Sequence, residues 1–181
     1  MQFIETAISG VWIIEPKVLG DHRGYFMETF RHELIEKYVG KINFIQDNES
    51  CSSRGVLRGL HYQAGKFSQA KLVRVISGKA LDVAVDIRKS SPTFGNHVAI
   101  ELSGENKRQF FIPRGFAHGF LVLQDNTVFS YKVDNVYAPT AERSILFCDP
   151  AIGINWTVNN DELLLSEKDR HASLLENAEL F

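Results

Sequence analysis

Cysteine is scarce: Cys51 and Cys148 are the only two in 181 residues. They build no disulfide framework and form no C-x-x-C pair, which excludes a disulfide scaffold and a dithiol redox centre and makes a reducing compartment the simpler expectation. Excess charge is missing too, with 20 basic residues against 22 acidic ones and a net charge of -2. Such a balance gives no general attraction to nucleic acid or to an anionic membrane, so an anionic ligand must be met by a local cluster of cations. No apolar run approaches the roughly 20 residues of a membrane-crossing helix, and no basic-then-apolar leader opens the chain. A soluble, cytoplasmic protein with neither a nucleic-acid nor a membrane partner is expected. Linkers, low-complexity tracts and internal repeats are also absent, and 181 residues fit a single domain, 1–181, able to bury roughly 70% of its unfolded surface.

What is present is mostly strand. In Ala80–Ile87 the residues Leu81, Val83, Val85 and Ile87 share one face, while Ala80, Asp82, Ala84 and Asp86 share the other. Runs of the same kind occur at Lys71–Ile76, Val98–Leu102, Gln109–Ile112, Gly119–Leu123 and Thr127–Val133, separated by Ser-Gly, Pro-Arg-Gly and Gln-Asp-Asn punctuation. Many short strands with such turns imply an all-β sandwich or barrel. Helix is expected only at the margins, where Phe30, Leu34, Ile35 and Tyr38 keep helical spacing before Gly40, and in a short tail after Ser166. The architecture expected is a jelly roll, the double-stranded β-helix of cupins, with short flanking helices and an open mouth where ligands bind.

The densest chemistry lies in Arg58-Gly-Leu-His61-Tyr-Gln, followed by Lys71 at the head of a strand. Imidazole takes or gives a proton near neutrality, its unperturbed pKa being about 6.5. Two neighbouring cations suit the oxyanion left when a proton is abstracted beside a carbonyl. On a strand, Leu60 and Tyr62 point away from the face of His61, so the imidazole projects alone. Three further positions have bland readings of comparable weight. Ser166-Glu-Lys-Asp169 has the shape of a helix-capping arrangement. Tyr131 alternates with Phe129 and Val133 as a core aromatic would. His118 stands in Pro113-Arg-Gly-Phe-Ala-His118, half of a cupin metal signature whose other half, His-x-His, is missing from the chain.

Taken together, Arg58–Gln63, Lys71, Pro113–His118, Phe129–Asp134, Ala141–Arg143 and Leu165–Asp169, with Gly20–Phe26, Gln46–Asn48 and Arg88–Phe94 in order, are a specific combination. The stretch from Ile14 to about Asp169 resembles the nucleotide-sugar epimerases of the cupin superfamily, the dTDP-4-dehydrorhamnose 3,5-epimerases. The resemblance implies the same jelly roll, a homodimer whose Val11–Ile14 strands cross between subunits, and a dTDP-linked 4-keto-6-deoxy sugar as ligand. It implies His61 as general base, Asp169 as the carboxylate that fixes its tautomer, Tyr131 as proton donor on the opposite face, and Arg58 and Lys71 at the developing O4 charge. Arg23, Phe26, Glu28, Gln46, Asp47, Asn48, Glu142 and Lys168 fall around nucleotide and sugar, and Tyr137 falls where a ring stacks on the base. With no His-x-His, neither metal nor other cofactor is expected, and His118 is assigned to substrate contact. Two departures from the family pattern bear on nucleotide affinity and loop geometry: Glu49 follows Asn48, and Ala64–Ser68 holds no proline.

The activity implied is conversion of dTDP-4-dehydro-6-deoxy-D-glucose to dTDP-4-dehydro-L-rhamnose. Its C4 ketone acidifies the hydrogens on both C3 and C5, so one enolate strategy serves two carbons. A mono-epimerase at C3 or C5 and a 3,4-ketoisomerase are the alternatives on the same scaffold. A base together with an acid, His61 and Tyr131, favours inversion over isomerisation. A metal-dependent cupin oxygenase is disfavoured by the missing ligands, and a non-catalytic sugar-binding module by the presence of a base paired to a carboxylate.

Overall fold

Thirteen strands and two short helices make up the computed structural model, which describes residues 1–181. In chain order they are β1 (Gln2–Glu5), β2 (Trp12–Glu15), β3 (Val18–Asp21), β4 (Gly24–Met27), α1 (His32–Tyr38), β5 (Gln46–Ser52), β6 (Leu57–Gln63), β7 (Lys71–Ser77), β8 (Lys79–Asp86), β9 (His97–Ser103), β10 (Gln109–Ile112), β11 (Phe116–Val122), β12 (Thr127–Val133), β13 (Glu142–Ser144) and α2 (Glu167–Arg170). One six-stranded sheet runs β1-β2-β10-β7-β12-β5, a five-stranded sheet runs β13-β6-β11-β8-β9, and β3-β4 forms a separate hairpin. All strand pairings are antiparallel. This is the jelly roll the patterning called for.

Between the sheets lies a core of Val73, Val75, Phe110, Ile112 and Phe129 from the larger one against Ala80, Ala84, Phe116, Phe120 and Val122 from the smaller. A second core covers the outer face of the smaller sheet, where Leu57, Leu60, Tyr62, Val83, Val85 and Leu121 meet Ile145, Phe147, Trp156 and Leu175 of the C-terminal segment. The smaller sheet is therefore covered on both faces, which explains why all seven residues of β11 are buried. It also explains the two faces of β8: the aliphatic one meets the C-terminal layer, and the small, acidic one faces the interior of the roll. A third, smaller core joins Ile35 of α1 to Ile14, Leu72 and Phe111 on the outside of the larger sheet.

Buried Asp86 is a structural carboxylate. It accepts hydrogen bonds from the backbone and side chain of Arg88 and from the hydroxyls of Ser91 and Thr93. Burial alone would raise its pKa, but these donors hold it well below the ordinary carboxylate range. The Arg88–Phe94 motif is thus accounted for as a loop clamp.

One local irregularity positions the chemistry. His118 of β11 pairs with His61, but Phe120 pairs with Arg58, so β6 carries one extra residue between the two pairs. Residues 58 and 61 are three apart, and strict alternation would send them to opposite faces; the bulge returns both to the interior of the roll. It falls at Gly59, where φ is +129° and a Cβ would sit 2.5 Å from the Gly119 Cα. Only paired glycines allow this approach.

Candidate active site

A cavity of about 270 Å³ opens at one end of the roll, lined by Gln46, Asn48, His61, Gln63, Gln69, Lys71, Tyr131, Tyr137 and Glu142. It continues inward past His61, Lys71 and Tyr131 to Arg58, His118 and Phe120. All five residues assigned chemistry from the sequence meet here, four lining the cavity and Asp169 standing behind His61.

His61 Nε2 lies 2.5 Å from Asp169 Oδ1. Asp169 is almost fully covered, its side chain 3% exposed against 28% for His61. Burial would raise the Asp169 pKa, yet hydrogen bonds from His61, Ser166 and the Gly59 backbone hold it below the ordinary value. An ionised carboxylate only accepts, so Nε2 carries the hydrogen and the Nδ1 lone pair is the one left for an incoming C–H. The capping reading of Asp169 is equally correct: its backbone N–H donates to Ser166 Oγ at 3.2 Å, and Ser166 Oγ donates to Asp169 Oδ2 at 2.7 Å. The cap holds the carboxylate where the imidazole meets it.

The second histidine is built differently. His118 Nε2 lies 3.0 and 3.1 Å from the two oxygens of Asp82, and its Nδ1 lies 3.4 Å from Lys71 Nζ. Both partners are buried, with side-chain exposures of 7% for His118 and 0% for Asp82. Burial lowers the pKa of His118, Asp82 opposes that and Lys71 reinforces it, so the ring is neutral near pH 7. Its Nε2–H donates to Asp82, and its Nδ1 accepts from the Lys71 ammonium. His118, expected to contact substrate, lines the cavity wall, with its two nitrogens engaged by Asp82 and Lys71. Asp82 was missed as a partner in the site. Its signal was a charged residue on the inward face of a strand, which must find a partner.

Burial brings the pKa of Lys71 down to about 8, against the pull of the Asp82 and Glu142 carboxylates. Burial also raises Tyr131, with Arg58 opposing and Glu142 reinforcing, so the phenol keeps its proton at neutral pH. Arg58 reaches Ser52 Oγ at 3.4 Å. At the mouth, Glu142 accepts from the Tyr137 hydroxyl at 2.9 Å and pairs with Lys168 at 2.6 Å. Gln46 donates to Asn48 at 2.8 Å on edge strand β5, the inward-facing side of which also carries Ser50 and Ser52.

Other assignments fall outside this cavity. Asp47 alternates to the outer face of β5 and pairs there with Lys132 at 2.9 Å. Arg23 pairs with Asp21, and Glu28 with Arg31, on or beside the β3-β4 hairpin. Phe26, at the same hairpin, is 69% exposed. A single chain brings none of these four to His61, since the hairpin is a sheet of its own. Strand β2 pairs with β1 and β10 of the same chain. As for a metal, no three His, Cys, Asp or Glu side chains converge as a coordination sphere. The ammonium of Lys71 occupies the only free edge of His118.

Comparison with known proteins agrees with this geometry. The family model described as dTDP-4-dehydrorhamnose 3,5-epimerase matches residues 5–177. The dTDP-4-dehydrorhamnose 3,5-epimerase of Shigella flexneri is 54% identical over 182 aligned positions, covering 100% of this chain and 99% of that one. A crystal structure of dTDP-6-deoxy-D-glucose-3,5-epimerase from Legionella pneumophila, in complex with dTDP-4-keto-L-rhamnose, superposes with a TM-score of 0.94 at 50% identity, covering 98% of this chain and 94% of that one. A 3'-monoepimerase from Streptomyces bikiniensis in complex with dTDP-quinovose superposes at 0.88 with 36% identity, covering 95% and 87% of the two chains. The chain belongs to the dTDP-4-dehydrorhamnose 3,5-epimerase family.

Proposed function

We propose that the protein is a 3,5-epimerase converting dTDP-4-dehydro-6-deoxy-D-glucose to dTDP-4-dehydro-L-rhamnose. The observation that carries the reading is the cavity itself, where an imidazole with one free nitrogen, a half-buried ammonium and a protonated phenol face one space. His61 Nδ1 takes the proton from C3 or C5, and the C–H electron pair moves through the new C=C bond onto O4. Lys71 and Arg58 stabilise that oxyanion. Tyr131 gives a proton to the opposite face as the enolate collapses; the phenolate recovers its proton from solvent, and His61 releases its own. The same cycle at the second carbon completes the inversion. Electrons are conserved throughout, so the reading calls for no redox group.

In this reading Gln46, Asn48, Glu142, Lys168 and Tyr137 receive the nucleotide and the sugar at the mouth, with the Tyr137 ring as platform for the base. The chain is one catalytic domain, and it works as a homodimer. Val18, Leu19, Tyr25 and Phe26 leave exposed apolar surface on the β3-β4 hairpin, which a second copy covers. Arg23, Phe26 and Glu28 then act in the cavity of that second copy. Cytoplasmic location fits Cys51 and Cys148, both exposed and unpaired.

A mono-epimerase is the second reading, because the Streptomyces 3'-monoepimerase shares the scaffold at a TM-score of 0.88. Incubation with the 4-keto substrate in deuterium oxide decides between them by NMR. Deuterium at both C3 and C5 of an L-rhamno product supports the double epimerase, and deuterium at one carbon reduces it to a mono-epimerase.

A further inference from the structure

Gln63 ends β6, two residues past His61, and its side chain makes three hydrogen bonds to backbone from two separate loops. Its Nε2 donates to Phe67 O at 2.8 Å and to Val136 O at 3.0 Å, while its Oε1 accepts from Ala138 N at 2.6 Å. Two carbonyls on one side and an N–H on the other fix which end of the amide is which. Gln63 is 5% exposed, and both of its N–H donors are committed to the protein. It lines the cavity with no donor to offer a ligand.

The geometry at residue 137 is specific. Gln63 holds the carbonyl of the residue before Tyr137 and the N–H of the residue after it, so one side chain brackets the tyrosine from both sides. Tyr137 itself is 55% exposed, and its hydroxyl donates to Glu142 at 2.9 Å. Around Gln63 the same two loops are joined by further amides: Gln69 Nε2 donates to Asn135 O at 2.8 Å, and Asn135 Nδ2 donates to Lys66 O at 2.9 Å and Ser68 O at 3.3 Å. Ala64–Ser68 contains no proline to preset its backbone, so these bonds, with the backbone bonds from Ala64 to Ala141 and from Ser68 to Gly65, hold its shape.

We propose that Gln63 is a positioning residue for nucleotide binding: it clamps the Val136–Ala138 backbone so that the Tyr137 ring stands ready over the mouth of the cavity. This rests on the reading of Tyr137 as the platform for the base. Preorganising an exposed ring removes an ordering cost from binding, and so raises affinity without touching the reacting carbons. The placement also links mouth and chemistry through one strand, since His61 and Gln63 are successive inward residues of β6.

The test measures dTDP affinity by calorimetry, together with KM and kcat, for Gln63→Glu, Gln63→Leu, Tyr137→Ala and the double variant Gln63→Glu/Tyr137→Ala. Gln63→Glu keeps the size and the acceptor for Ala138 but loses both donors, and it serves where Gln63→Leu fails to fold. The expected result is dTDP affinity weaker and KM higher by about tenfold for Gln63→Glu, the order of a lost base stack, with kcat falling much less. In the Tyr137→Ala background the same substitution should weaken dTDP binding by less than about twofold, because the ring that it positions is gone. Additive losses in the double variant, or a fall in kcat with unchanged dTDP affinity, would overturn the inference. If Tyr137→Ala itself leaves dTDP affinity unchanged, the platform reading fails first, and the inference fails with it.

Discussion

Two histidine–aspartate pairs stand side by side in the roll, on strands where His61 and His118 are register partners. Both rings turn Nε2 to a buried carboxylate, and both have neutral tautomers fixed by it. They differ in what the other nitrogen meets. Nδ1 of His61 faces the cavity, whereas Nδ1 of His118 faces the Lys71 ammonium. The pairing alone does not make a base, because a histidine becomes one only where its second nitrogen is left for the ligand. On the mechanism proposed above, the chemistry of the site is divided between neighbours of the same composition: one pair moves the proton, and the other holds the cation that stabilises what remains.

The largest expected effect falls on the first pair. His61→Ala should lower turnover by about 10²–10⁴-fold, the usual contribution of a general base, while dTDP binding persists. Turnover above about a tenth of the parent enzyme would remove His61 from that role. Lys71→Met should follow, with a loss of about 10²–10³-fold in kcat, as for removal of an oxyanion donor. It should at the same time raise the melting temperature, since a half-buried, desolvated ammonium is replaced by an apolar side chain of similar length. A fall in both would show Lys71 to be structural.

His118→Gln should cost less, about tenfold in kcat, because Arg58 still faces the oxyanion and only the orientation of Lys71 is loosened. A loss equal to that of His61→Ala would make the two pairs equivalent and end the distinction drawn between them.

The smallest effect is on pH dependence, and it has opposite signs for activity and stability. Lys71 titrates near 8 in the folded chain and higher when unfolded, so between those values the unfolded state binds the extra proton. Stability from this group therefore grows as pH rises through that window, while activity falls as the ammonium is lost. Asp169 has the same sign for stability at low pH. Its folded pKa is depressed, so its contribution is complete above the ordinary carboxylate range and is lost as pH falls through the folded value. Thermal melts from about pH 2 to 10 and kcat profiles over the alkaline range check both limbs, and parallel alkaline declines in stability and activity would contradict the assignment to Lys71.

Much of the fold was legible in residue spacing. The runs at Gln109–Ile112 and Thr127–Val133 match β10 and β12 end for end, because alternation and punctuation agree there. Strand β11 begins at Phe116, earlier than Gly119, since a strand buried on both faces shows no alternation to read. Asp169 was ambiguous between cap and histidine partner because it belongs to the cap at Ser166 and also meets His61. Other parts of the site depend on pairing across the sheet, which spacing along the chain does not carry. The bulge at Gly59 that gathers Arg58 with His61 is set by the approach of Gly119, 60 residues on. The occupation of both His118 nitrogens likewise needs β7 and β8 in place. Gln63 reads as an ordinary strand-end amide until the two loops that it joins are folded.

The most direct test of the central claim separates proton removal from proton return, carbon by carbon. Parent enzyme, His61→Ala and Tyr131→Phe are each incubated with the 4-keto sugar in deuterium oxide, and label and configuration at C3 and C5 are followed by NMR. The account predicts that His61→Ala loses exchange at both carbons together, and that Tyr131→Phe continues to exchange after net inversion has nearly stopped. Exchange persisting at either carbon in His61→Ala would mean another base serves it, and equal loss of exchange and inversion in Tyr131→Phe would make Tyr131 a residue that positions substrate.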